Sequence, residues 1–369
     1  MIARRRCAAA IACAVAAACS SPAPPPPGRD AGSARPAPPP EVGADAAPDG
    51  PRVIVMSEPE LALPSQESFR LLDPGKGARR VLRYRPAAGA TAITARTALT
   101  TRRLERGELS PPAPLPAIRD GFAITIAAEA PRRLALRALP GEAATASAET
   151  GAYLAAWRSL LQDRRIAVEV DDRGAIGAIR FDDDPAGAHG AGARAGARDE
   201  LVQRLLTLII PLPAEPVAPG ARWRVVTILR QGPAVAKQTA TYTLIARTAA
   251  AWKLRVQLQR VAEPQPIVDP SLPPGTSAEL VALFRALNGD VEVDPGLPVI
   301  AGGSLAIESR LHARLQPAGG SALEQMFEDT GTVRLVRCRA GKPAAGPPAP
   351  AAPLAPLASL SGCPDGFSR

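Results

Sequence analysis

Trp252-Lys253-Leu254-Arg255-Val256-Gln257-Leu258-Gln259 places an apolar residue at every even position and a polar one at every odd position. Successive side chains of an extended strand leave opposite faces, so this stretch predicts a strand with one buried and one solvated face. Such strands belong to antiparallel sheets covered on one side only. The alternation recurs elsewhere in the chain. Leu305, Ile307, Ser309, Leu311, Ala313 and Leu315 stand against Glu308, Arg310, His312 and Arg314. Shorter versions occur at Trp223/Val225/Thr227/Leu229, Ile93/Ala95/Thr97/Leu99, Phe122/Ile124/Ile126 and Ile166/Val168/Val170. Asp172-Arg173-Gly174, between two strand patterns, predicts a hairpin turn.

Three segments change to helical spacing. Tyr153, Trp157, Leu160 and Leu161 form one stripe, and Leu201, Leu205, Leu208 and Ile209 a second. Leu280, Phe284 and Leu287 form a third, which Asn288-Gly289 should terminate. Long β-runs with sparse helices predict an α+β fold, a large curved antiparallel sheet, half-barrel-like, with about three helices on one face.

The ends of the chain read differently. Met1 to Arg6 carries Arg4, Arg5 and Arg6, and a short apolar stretch from Ala8 then runs into Ala16-Ala17-Ala18-Cys19. A stretch this short does not span a bilayer as a mature helix and has secretory flanks. It resembles a bacterial lipoprotein signal peptide, which implies removal of residues 1–18, lipidation of Cys19 and a diacylglycerol anchor. By the same resemblance, Ser20 suits outer-membrane sorting, in a protein facing the periplasm. The alternatives are a cut after Ala18 that leaves Cys19 as a free thiol, or an uncleaved anchor. From Cys19 through residue 52 the chain is rich in proline and lacks apolar periodicity, as in Pro24-Pro25-Pro26-Pro27. That composition predicts an extended, solvated linker, at ~3.1 Å per residue where it is polyproline II. The folded domain is expected over 53–338, followed by a Pro/Ala-rich tail over 339–369.

Composition narrows the partners. The formal charge of +9 falls to +6 when Arg4, Arg5 and Arg6 leave with the signal. With 3 Trp, 3 Tyr and 6 Phe in 369 residues there is no basic stripe interleaved with aromatics, so no nucleic-acid partner is expected. Of five cysteines, Cys7 and Cys13 lie in the signal and Cys19 takes the lipid, leaving Cys338 and Cys363. In an oxidising envelope the two read as one disulfide, the alternative being two unpaired thiols. No metal site is expected, because a closed zinc site needs four ligands at short spacing and only His189 and His312 remain to help.

Three phrases carry a further resemblance. They are Arg83-Tyr84-Arg85 followed by Gly89, Val168 through Gly174, and Pro211-Leu212-Pro213-Ala214-Glu215-Pro216 continuing to Gly220 and Trp223. Their order and spacing resemble an uncharacterised family of bacterial envelope lipoproteins, a domain of unknown function, over roughly residues 79–337. The family supplies no catalytic residues to transfer. Each phrase also has a structural reading: the prolines stop the preceding helix, Gly220 turns the chain, and Trp223 plugs the core.

Catalytic material is sparse. His189 sits in a Gly/Ala-rich loop, His312 alternates outward on a strand, and no Gly-x-Ser-x-Gly elbow is present. Asp182-Asp183-Asp184 with Asp171 and Asp172 match no calcium loop. No enzyme activity and no cofactor are therefore expected. Curved sheets with helices over the concave face are also used by periplasmic lipoprotein carriers and lipid-binding lipoproteins, by analogy alone. If the helical stripes leave the concave side unfilled, the gap is an apolar cavity for acyl chains, with Trp157, Leu205, Ile209, Trp252, Leu254 and Val256 as candidate lining. The expected function is a non-enzymatic, membrane-tethered envelope lipoprotein that binds or carries an apolar ligand such as lipid. A structural or interaction role with another envelope protein is the alternative.

Overall fold

The computed structural model describes residues 65–86, 88–105, 107–126, 133–145, 151, 154, 165–182, 201–231, 234–267, 272, 274–340, 363, 367 and 368. Its strands are β1 (Ser65–Asp73), β2 (Gly89–Glu105), β3 (Glu108–Leu109), β4 (Ala113–Pro114), β5 (Ile118–Ile126) and β6 (Arg133–Ala138). There follow β7 (Glu142–Ala143), β8 (Arg165–Val170), β9 (Ile176–Asp182), β10 (Arg222–Gln231), β11 (Ala234–Arg247) and β12 (Trp252–Ala262). The last are β13 (Gln265–Ile267), β14 (Ser277–Val293), β15 (Ile300–Gln316), β16 (Leu323–Ala340) and β17 (Phe367–Ser368).

All the long strands pair antiparallel in one sheet, in the spatial order β1-β10-β11-β12-β14-β15-β16-β2-β5-β6-β8-β9. The sheet is open, with β1 and β9 as its edges. It is nevertheless curled, because one hydrophobic cluster holds Val168 of β8 and Leu136 of β6 together with Trp223 of β10, Leu254 of β12 and Leu335 of β16. In β12 the alternation is complete: every even residue from Trp252 to Ala262 is buried and every odd one exposed. Close backbone approach helps the sheet bend. A Cβ at Gly289 would lie 2.1 Å from the Ser304 carbonyl oxygen on the neighbouring strand, a distance no side chain tolerates.

The expectation of an α+β fold with about three helices is overturned, since the structure is mostly antiparallel sheet. Among the described residues there is one continuous helix, 201–208, which buries Leu201, Leu205 and Leu208 as its spacing predicts. The first stripe, with Trp157, lies outside the described residues, although Gly151 and Leu154 have helical backbone. The third stripe is strand β14. Its pairing with β15 shifts register between Leu280 and Ala282, a bulge that puts Leu280 and Leu287 on the same buried face seven residues apart, while Phe284 of the expected stripe lies on the other face, paired with Val261. The bulge imitates a helical interval. Asn288 and Gly289 terminate nothing; they pair in mid-strand with Ala306 and Leu305.

Irregular segments join the two sheet edges, and they are built from the three phrases singled out above. The Tyr84 amide donates to the Asp172 carbonyl at 2.8 Å, and the Tyr84 hydroxyl donates to the Ile210 carbonyl at 3.0 Å. Leu212 N–H donates to the Arg173 carbonyl at 2.7 Å, and Arg83 pairs with Asp172 at 3.2 Å. Gly174, at φ +82°, lies so close to Ile210 that a Cβ would meet its carbonyl oxygen at 2.6 Å. The Trp223 indole donates to the Pro211 carbonyl at 2.8 Å and stacks on Tyr242. Burial pushes the Tyr84 and Tyr242 hydroxyls well above their ordinary range, so both remain neutral. Cys338, at the end of β16, is bonded to Cys363, with Cα atoms 5.6 Å apart.

Candidate functional site

The concave face of the sheet is not uniformly apolar. One row of inward-pointing positions is polar on every strand it crosses. Thr227 of β10 faces Gln238 of β11, which faces Arg260 of β12, which faces Arg285 of β14. The row continues through Ser309 of β15 and Asp329 of β16 to Thr101 of β2. On one side lie Val225, Ala240, Leu258, Leu287 and Ile307 of the main core. On the other lie Leu229, Ala236, Ala262 and Leu283 of a smaller cluster. The belt therefore divides the interior into two apolar compartments.

The helix over 201–208 lies across this belt and supplies polar groups of its own. Arg260, only 1% exposed, donates from Nη1 to Gln203 Oε1 at 2.5 Å and from Nη2 to Gln238 Oε1 at 2.8 Å. Arg204 pairs with Asp120 of β5, itself 3% exposed, at 2.8 Å. The Ser309 hydroxyl donates to Asp329 at 3.2 Å. The Nε of Arg285 is buried and has no hydrogen-bond partner among the described residues.

Between helix and sheet remains a cavity of about 120 Å³. Ile93, Phe122, Leu287, Leu305, Val333 and Leu335 form its apolar wall, and Thr97, Asp120, Gln203, Arg204, Thr207, Arg260 and Arg285 its polar side. The volume is below the ~300–1,000 Å³ of pockets that enclose whole small ligands. It suits one end of a longer molecule.

The residues expected to line a cavity are placed elsewhere. Leu205, Ile209, Trp252, Leu254 and Val256 are all buried in the main cluster, and none belongs to the cavity wall. Trp157 and Cys19 lie outside the described residues, as do His189, Asp183 and Asp184. His312 is on the outer face, 2.6 Å from Glu324. Asp171 serves the hairpin turn, its Oδ1 accepting from the amides of Arg173 and Ala175. Among the described residues no three His, Cys, Asp or Glu side chains converge.

Asp120, Arg204, Arg260 and Arg285 were not singled out by the pattern reading. One signal was available, because Arg260 and Gln238 break the alternation at positions where their strands face inward. Arg285 was hidden by the helical reading of β14. No protein-family model matches the chain, and comparison with curated proteins gives no match.

Proposed function

We propose that this chain is a non-enzymatic envelope lipoprotein, tethered to the membrane through Cys19, whose β-rich domain binds or carries a lipid-like ligand. The observation that carries the binding half of this reading is the cavity between helix and sheet among the described residues. A twelve-stranded curl covered by one described helix leaves a gap with an apolar wall and a polar belt. Interiors otherwise pack to crystal-like density, so an unfilled, partly apolar space beside a helix is a ligand-site signature. The tether rests on the likeness of residues 1–19 to a lipoprotein signal, and the outer-membrane, periplasm-facing placement on Ser20 after the cysteine.

The outer face supports a second reading. Val235 and Val261 are 45% and 37% exposed, and Val261 is paired across the strands with Phe284. Exposed apolar side chains grouped on a sheet face mark interaction surfaces, and an envelope partner protein docking there needs no ligand inside.

Native mass spectrometry separates the two. Protein released gently from its own envelope should carry an added mass in the lipid range, removable by solvent extraction, with a lower melting temperature afterwards. A ligand that binds only the native state adds RT ln(1 + [L]/Kd) to stability. A single mass equal to the chain plus its anchor, and a melt unchanged by extraction, would leave the interaction reading.

A further inference from the structure

We propose that the convex face of β10, β11 and β12, with the adjoining edge strand β1, docks on an anionic bilayer surface, that of the membrane to which the chain is tethered. The inference takes its partner from the tethered reading above, and the face itself is tested apart from that reading. From Pro216 to Ala262 the sequence carries Lys and Arg throughout and no Asp or Glu. That stretch contains all three strands. Their outward positions therefore hold cations and neutral groups alone: Arg222 and Arg224 on β10, Lys237 on β11, and Lys253 and Arg255 on β12, set among Thr, Gln and Val. Arg70 of β1 extends the face, directly opposite Arg224.

Arg70, Arg222 and Arg224 are exposed, and no carboxylate pairs with them among the described residues. Asp73 lies opposite Arg222, but its Oδ1 accepts from the Gly75 amide at 2.8 Å. Like charges opposed on paired strands repel, so Arg70 against Arg224 carries a cost that an anionic surface laid over both would offset. Farther round the sheet the convex face is built differently. Arg102 and Arg310 both reach Glu328, at 3.3 and 2.8 Å, and Arg314 lies 2.7 Å from Glu324. Asp290 of β14, which pairs with Arg255 and Lys253, marks the boundary between the two regions.

Three observations point to a bilayer rather than another polyanion. The chain that leads back to Cys19 joins the described fold at β1, the strand that carries Arg70, so the tether starts beside this face. Tethering makes the second contact intramolecular, and a weak attraction per side chain then suffices. The cations are spread over four neighbouring strands rather than converging on a point, which suits a plane of phosphates. Val235 and Val261, 45% and 37% exposed on the same face, suit the boundary between headgroups and acyl chains. A nucleic acid finds nothing to stack on, because Trp223, Tyr242 and Trp252 of these strands are all buried.

The test is co-sedimentation of the full chain with vesicles of phosphatidylcholine alone and of phosphatidylcholine mixed with phosphatidylglycerol, in a Cys19→Ser background that removes the acylated residue. One variant combines Arg70→Gln, Arg222→Gln and Arg224→Gln. A second combines Arg102→Gln, Arg310→Gln and Arg314→Gln, which removes the same charge from the far region. Each exposed cation beside an anionic bilayer strengthens binding roughly fivefold. The first variant should therefore lose ~tenfold or more of its affinity for the anionic vesicles, and the second should stay close to the parent. Lysine at the same three positions should preserve binding, since a bilayer reads charge and not the guanidinium fork. Equal losses from the two triple variants would overturn the proposal, because net charge and not this face would then draw the chain. A parent with no preference for the anionic vesicles, or a lysine variant that loses it, would overturn it in favour of an acidic protein partner. Single substitutions at each arginine, each expected to weaken binding roughly fivefold, decide the matter if the triple variant fails to fold. None of these outcomes bears on lipidation of Cys19, which is read separately by detergent partition.

Discussion

A methyl group at Gly289 would sit 2.1 Å from the Ser304 carbonyl oxygen, whereas one at Gly302, on the neighbouring strand β15, would meet nothing nearer than 3.7 Å. Gly289→Ala must therefore push β14 from β15 and should destabilise by about 2 kcal/mol or more, in the range of overpacking. Gly302→Ala should stay within about 0.5 kcal/mol. Urea unfolding followed by circular dichroism measures both, and equal effects would contradict the close approach. At this scale the sequence was informative wherever residue type and strand parity agreed, as at Leu254, Val256 and Leu258, each buried as its position demands. It was uninformative where a polar residue takes an inward position. Arg260 follows Leu258 in perfect phase, yet alternation alone treats it as an error rather than as part of a belt. Only cross-strand register reveals that Gln238 and Arg285 break the pattern at the same level.

Elements were legible when their period was regular. The second helical stripe, with Leu201, Leu205 and Leu208, is a helix, and the alternating runs are strands. β14 was not legible, because its bulge after Leu280 brings Leu280 and Leu287 to one buried face at an odd, helix-like interval of seven. Its pairing with β12 supplies a pH-dependent contact. On the outer face Asp290 accepts from Arg255 at 2.9 Å, with Lys253 3.7 Å away. The hydrogen bond from Arg255 is the main reason the Asp290 carboxyl is held below its usual range, and the charges of Arg255 and Lys253 add to it. A carboxyl depressed in the folded state contributes stability that is complete above its unfolded pKa, about 4, and fades as pH falls through the folded value. Solvent screening keeps that contribution to a few tenths of a kcal/mol. Asp290→Asn should therefore lower stability slightly at pH 7 and have no effect near pH 2, measured as melting temperature against pH. A larger loss at pH 2 than at pH 7 would contradict the pairing.

For the whole molecule, alternation made a large antiparallel sheet legible, while its curl and its open seam depend on contacts between distant segments. Tyr84, Asp172, Arg173, Ile210 and Leu212 meet there, and no local pattern announces the meeting. The same holds for the cavity, whose walls come from strands and a helix far apart in the chain, so that core positions such as Val256 were indistinguishable from lining positions such as Val333. The membrane tether stands apart from the fold. Replacing Cys19 with Ser should move the chain from the detergent phase to the aqueous phase, since stable anchoring takes more than one acyl chain, and an unchanged partition would contradict the tether.

The central claim, that the concave cavity holds a lipid-like ligand, is tested most directly by native mass spectrometry of two tryptophan variants beside the unmodified chain. Val333 lines the cavity and is half-buried, whereas Val256 is buried in the packed core. Val333→Trp should fill the space and abolish the added lipid mass while the variant stays folded. Val256→Trp should instead destabilise through overpacking, by about 1–3 kcal/mol, without displacing the ligand from whatever remains folded. Loss of the added mass from Val333→Trp alone is the result predicted. An unmodified chain that carries no lipid, or a Val333→Trp variant that keeps it undiminished, would contradict the account.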